Sequence, residues 1–418
     1  MRKDFLILVL VSFFLLEISL GGSGVWSENL LGFNLRKILF FLLFLLIFSI
    51  PFIRASSHFY IYAIGALTFY FIWGFFIPIN YGNLSNSLLD FPALFAITFL
   101  TFLSSKSSKN VVEWIVLFSA RCSLVLAGLH CLIAIVFYMD LVPPMLFRQA
   151  LVSTFIREGE LAIFTTEPSI RIFWASSSFM LIGYAVFFFR MVSGNSAKIY
   201  TFIGLCVHFS AILITDTRAF QLFTIIVPVM YFFFLTINSR DFGGSCNVIF
   251  LYILLLGLIE VLIISLVNSD FLMYLGLSKP GEGTARFDQI MPLLGSISDN
   301  FFWGKGFGSS VEGFVRSDSA PWTYEMSILA LIMKLGFFGV ISLSTLLFMA
   351  LWLPVLLSEV KIDENKQVKK QISLLGAAGI GYFVVVSSNP FLFSLVGFSI
   401  MLVIYSWYIL SFKYGLSI

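Results

Sequence analysis

Apolar runs, most of them about 17 to 25 residues long, follow one another along nearly the whole chain. They fall near 5–20, 37–53, 59–79, 90–104, 113–139, 172–189, 199–215, 219–237, 247–268, 325–353, 372–388 and 391–411. Runs of this length match the thickness of a bilayer, and their spacing leaves little polar chain between them. A water-soluble protein carries roughly 25% charged residues; this one has 11%, with 59% hydrophobic residues and 51 phenylalanines. Hydrocarbon admits only helices or closed barrels as spanning structure, and the runs lack the alternation of barrel strands. The pattern predicts an all-α polytopic membrane protein of about twelve transmembrane helices, a single membrane domain over 1–418.

The net charge of +3 gives no footprint for nucleic acid. Cys122, Cys131, Cys206 and Cys246 form no CxxC pair, so neither a disulfide framework nor a zinc site is expected. His58, His130 and His208 are scattered, which argues against a histidine metal centre. Arg2 and Lys3 ahead of Phe5–Leu20 imitate a secretory signal. An uncleaved first span is preferred, because the remaining chain then closes on an even number of helices.

Short-loop charges orient the chain. With the N-terminus inside, Arg54, Lys106, Lys109, Arg190, Lys198, Arg240, Lys361, Lys366, Lys369, Lys370 and Lys413 are cytoplasmic, and the short outer loops 80–89 and 388–390 hold no Lys or Arg. Arg36 and Lys37 run against the rule. Both termini are then cytoplasmic, and two long segments lie outside, 140–171 and 269–324. Loops of that length are usually functional. The second contains a predicted surface helix near 284–298, opened by Thr284, with Phe287, Ile290, Met291, Leu294 and Ile297 at helical spacing and a kink at Pro292.

Seven arginines (Arg36, Arg148, Arg157, Arg171, Arg218, Arg286 and Arg316) face outward against three lysines. Guanidinium grips phosphate in a fixed fork, which suits a lipid-linked pyrophosphate at the membrane surface. The plainer alternative is that these arginines snorkel to headgroups or pair with nearby acids. Thr215-Asp216-Thr217-Arg218 makes a tight outer turn in which Thr217 caps the next helix and leaves its N–H groups, with Arg218, facing an anion. Thr166-Glu167-Pro168-Ser169 is a sound helix start; functionally, Glu167 could serve as a base toward a sugar hydroxyl. Trp322-Thr323-Tyr324-Glu325 sets a second aromatic and carboxylate pair at the interface, where Trp and Tyr are ordinary belt residues. Gly304, Gly306 and Gly308 alternate in a stretch that reads as a tight turn re-entering the membrane surface, not as a dinucleotide fingerprint. Glu17, Arg121, Glu260 and Lys334 lie inside spans, where charge is expensive. They serve either as interhelical glue or as a proton path.

Twelve spans with large outer loops after the fifth and ninth resemble the Wzy-type O-antigen and capsule polymerases, whose wider group includes the O-antigen ligases. Thr166-Glu167-Pro168-Ser169, Thr215-Asp216-Thr217-Arg218-Ala219, Thr284-Ala285-Arg286-Phe287 with Trp303-Gly304-Lys305-Gly306-Phe307-Gly308, and Gly336-Phe337-Phe338-Gly339 carry the likeness, in that order along the chain. Arg148 to Gly159 echoes an arginine–glycine spacing of polymerase loops. The resemblance implies a glycosyltransferase-C-type bundle in the bacterial inner membrane. Its substrate would be an undecaprenyl-pyrophosphate-linked glycan, used without metal, cofactor or nucleotide sugar, with a polysaccharide chain-length regulator as a possible partner. By position, Arg218 and Arg286 would bind the donor pyrophosphate and Glu167 or Glu325 would engage the acceptor hydroxyl, with Arg148, Arg157, Arg171 and Tyr324 as further substrate contacts. The ligase branch adds a histidine near the end of the second loop; this chain has none there, which favours a polymerase. A ligase and a repeat-unit flippase are the alternatives.

Overall fold

The computed structural model describes residues 2–20, 35–49, 57–92, 108–143, 145–146, 149, 162–166, 169–193, 198–215, 217–238, 284–314, 321–324, 326–356, 366–387 and 394–414. These form α1 (Arg2–Leu20), α2 (Leu35–Ser49) and α3 (Ser57–Tyr70). The last runs on through a π-helical turn, Phe71–Phe76, into Ile77–Asn80. Then come α4 (Leu84–Asp90), α5 (Lys109–Tyr138), the strand pair β1 (Ala162–Thr166) and β2 (Ser169–Phe173), a 3₁₀ turn at Ala175–Phe179, α6 (Met180–Ser193), α7 (Lys198–Ile214) and α8 (Arg218–Asn238). The remainder is α9 (Thr284–Asp299), α10 (Ser327–Leu356), α11 (Lys366–Ser387) and α12 (Leu395–Tyr414).

Among the described residues, five helical stretches are long and apolar enough to cross a membrane: Tyr60–Asn80, Lys109–Tyr138, Ser176–Ser193, Ala219–Thr236 and Ser327–Met349. The chain is thus a mainly helical membrane protein. The predicted runs 247–268 and nearly all of 90–104 lie outside the described residues. The sixth predicted run, 172–189, does not begin as a helix. Residues 169–173 pair in register with β1, Phe164 opposite Arg171, and the helix takes over only after the 3₁₀ turn. Ile170, Ile172 and Phe173 suit a strand as well as a span, and periodicity does not separate the two in a short run.

The bundle is built around α6, which is buried on nearly every side, while the other four crossing stretches have fewer than half of their residues buried. Small residues let neighbours come close, the usual device where hydrocarbon supplies no drive for association. Gly183 lies against Ser123 and His208, Gly204 against the Phe187 ring, and Gly381 against Phe223. Paired contacts fix the helix directions. The α6 residues Tyr184 and Phe188 meet Thr224 and Tyr231, so α6 and α8 run parallel. His130 meets Ser177 while Ser123 meets Gly183, so α5 and α6 run antiparallel. Phe223 and Phe234 meet Gly381 and Gly376, which makes α11 antiparallel to α8. The strand pair, the start of α8 and the end of α11 therefore gather at one end of the bundle.

Candidate functional site

Two small folded units are described, one from each of the long segments. In the first, β1 and β2 form an antiparallel hairpin from Ala162↔Phe173 to Thr166↔Ser169. Its exit is pinned by uncharged groups. Ser177 Oγ accepts the Trp174 N–H at 3.0 Å and lies 3.0 Å from His130 Nε2. His130 Nδ1 lies 2.9 Å from the Leu126 carbonyl one turn below. A carbonyl only accepts, so Nδ1 carries the proton and Nε2 receives the serine hydroxyl. The imidazole packs on Trp174 at 4.0 Å between ring centres, and Ser176 donates to the Ile18 carbonyl at 2.5 Å. Phe173 touches Phe220 at 6.1 Å, so the strand of Arg171 abuts the first turn of α8, where Arg218 is the opening residue. Thr217 sits before it, as expected, and its carbonyl receives the Phe220 and Gln221 N–H groups. Its hydroxyl, however, turns back to donate to the Thr215 carbonyl.

The second unit starts with α9, whose bounds match the predicted surface helix. Its inward face is not the predicted stripe. Gln289, Leu293 and Ser296 are buried, while Met291 and Leu294 are exposed. Leu293 joins a satellite core with Val311, Tyr324, Ala330 and Met333, separate from the main bundle core. Tyr324 is 1% exposed. Its hydroxyl accepts the Val311 N–H at 2.8 Å and donates to the Phe314 carbonyl at 3.4 Å. Burial pushes this phenol up from its usual range, against the opposing effect of the Val311 bond. Trp322 is buried as well. The belt reading of Trp322 and Tyr324 is thereby corrected: both are buried, and the Tyr324 hydroxyl holds the 311–314 turn.

Between the two stretches runs Asn300–Gly308, laid into a break in α10. Gly336 has φ +61° and interrupts the helix, a conformation that L side chains rarely adopt. The carbonyls and N–H groups freed there are taken up by the turn. Lys305 N–H goes to Met333 O, Gly306 N–H to Lys334 O, Phe337 N–H to Phe301 O and Phe338 N–H to Phe302 O, at 2.7–3.1 Å. Trp73 Nε1 is shared between the Trp303 and Leu335 carbonyls at 2.9 and 2.8 Å. The neighbouring π-helical turn offers two more carbonyls. Trp73 O accepts the Phe307 N–H and Gly74 O accepts the Ser87 hydroxyl. Such turns inside a helix are frequent at functional sites. Irregular backbone survives at this depth because protein satisfies it.

One ion pair closes the assembly. Lys334 Nζ and Asp90 Oδ2 are 2.5 Å apart, each side chain 1% exposed, and the same oxygen accepts the Gly308 N–H at 2.8 Å. Lys334 stood out in the sequence as a charge that needs a partner. Asp90 did not, since it opens an apolar run where an acid looks like ordinary helix-start chemistry. Of the residues predicted for chemistry, Arg148, Arg157, Glu167 and Glu325 lie outside the described residues. Arg171, Arg218 and Arg286 are described in backbone only: Arg171 in β2, Arg218 at the head of α8, Arg286 in the first turn of α9. The first two share one unit; Arg286 belongs to the other. Glu17 is buried, Arg121 is exposed on α5, and Glu260 lies outside the described residues. No family model, curated protein or solved structure matches the chain.

Proposed function

We propose that the chain is a twelve-span glycosyltransferase of the bacterial cytoplasmic membrane, with both termini cytoplasmic. It polymerises undecaprenyl-pyrophosphate-linked oligosaccharide repeat units on the outer face. The observation that carries this reading is that both long segments contain folded, packed units. Strand and helix positions bearing Arg171 and Arg286 sit in those units, and Arg218 opens the helix that the first unit abuts. In the proposed step an acceptor hydroxyl attacks the anomeric carbon of the donor and the bond to the pyrophosphate breaks. The hydroxyl proton passes to Glu167 or Glu325, and the lipid pyrophosphate leaves. Arg218 and Arg286 offset the charge that grows on it, the part of such a reaction where fixed cations act most.

A flippase is the second reading, favoured by the break at Gly336, because discontinuous helices build binding sites in transporters. Here the break is filled by the chain's own turn, which weighs toward a fixed scaffold. A glycan ladder from cells lacking the protein, complemented with wild type or Arg286→Ala at equal membrane levels, tests the proposal. Single repeat units in the null strain, with long chains restored only by wild type, support it. Long polymer stranded on the lipid carrier points to a ligase, and repeat units held inside the cell point to a flippase.

A further inference from the structure

We infer that Asp90 and Lys334 are positioning residues of the outer site: together they form the seat that holds the glycine turn, and with it α9 and Arg286. Three elements meet at one carboxylate, and a fourth is tied in one turn away. Asp90 ends α4 and Ser87, one turn earlier, ties α4 to the Gly74 carbonyl of the π-helical turn. Lys334 comes two residues before the break in α10, and Gly308 ends the turn. Gly308 has φ +74°, with the Ser87 backbone where a β-carbon would stand, so the turn approaches α4 backbone to backbone. Phe307 is fully buried among Phe69, Tyr70 and Phe91 and anchors the same point.

Stability alone is a poor reason for this pair. A buried ion pair is often matched or bettered by apolar side chains of similar volume, and Asp90 Oδ1 has no hydrogen-bond partner among the described residues. The recorded bonds of Asp90 all go to Oδ2, which joins Lys334 to Gly308. That is the arrangement of a registry device. It sets where the turn sits relative to the break, and the turn leads back through Trp303, Phe302 and Phe301 to the end of α9.

The inference uses the proposed function only for its consequence on glycan synthesis, so its test reads the turn directly. Two charge-neutral double variants are compared with wild type in the full-length protein in lipid nanodiscs: Asp90→Asn with Lys334→Met, and Asp90→Leu with Lys334→Met. Asn keeps an acceptor for the Gly308 N–H, and Leu does not. Amide hydrogen exchange over 300–314 is expected to stay near wild type in the Asn variant and to quicken about tenfold in the Leu variant, while α5 is unchanged in both. Equal exchange in the two variants overturns the inference, since the pair would then be electrostatic filling. If exchange differs as expected, loss of long glycan chains in the Leu variant alone ties the seat to the outer site. Normal ladders in both, with exchange differing, would overturn the assignment to the outer site and leave the polymerase reading to its own test.

Discussion

The hairpin after α5 is held by neutral groups, whereas the glycine turn before α10 is held by a charged pair. Both hold irregular backbone against an apolar bundle. In the hairpin unit the fasteners are hydroxyls and an imidazole: Ser177 on His130, Trp174 on the same ring, Ser176 on the Ile18 carbonyl. Each is local to one helix contact and satisfied by neighbours on α1 and α5. In the glycine-turn unit a single carboxylate oxygen binds elements more than two hundred residues apart in sequence. Neutral fasteners fail one at a time, but a buried charge fails as a whole, because removing one member leaves the other unpaired in an apolar surround. The hairpin is thus expected to tolerate graded change and the turn to behave as all or none.

The sharpest way to break this contrast is Lys334→Met alone. It strands Asp90, and a loss of about 3–5 kcal/mol is expected, read as thermal unfolding in detergent and as reduced membrane level. Gly308→Ala comes next. The left-handed backbone alone costs about 1–3 kcal/mol there, with the Ser87 backbone adding to it, and trypsin should then cut more readily near Lys305. Ser177→Ala removes the partner of His130 Nε2 and the acceptor of the Trp174 N–H; about 1–3 kcal/mol is expected, with faster amide exchange confined to 162–179. Met291→Ser, on the exposed face of α9, should stay within about 0.5 kcal/mol when unfolding is followed in the same detergent. If Ser177→Ala proved as damaging as Lys334→Met, the division into graded and all-or-none units would be wrong.

Much of the architecture is legible in the chain itself. The apolar runs announce helices because hydrocarbon allows little else, and Thr284 marks the start of α9 to the residue. The alternating glycines point to a turn, since no other residue tolerates φ near +67° to +79° at three alternate positions. Two periodicities fit the short segment Ser169–Phe173, and elsewhere local chemistry hides a distant role. Nothing around Asp90 marks its role, because its partner lies 244 residues away. Leu293 was passed over in favour of Met291 and Leu294 because all three are apolar and only packing decides which face turns inward. Composition suits Trp322 and Tyr324 to the surface, yet both are buried, Tyr324 in the satellite core.

The central claim, that this chain joins lipid-linked repeat units, is tested most directly with the purified protein in proteoliposomes. The substrate is a defined undecaprenyl-pyrophosphate-linked oligosaccharide supplied on the face exposed to the medium, without nucleotide sugar. The account predicts a ladder of lipid-linked glycans in whole-repeat steps and one lipid pyrophosphate released per step, with both lost in Arg286→Ala. Movement of the lipid across the bilayer without any change in glycan size would contradict it.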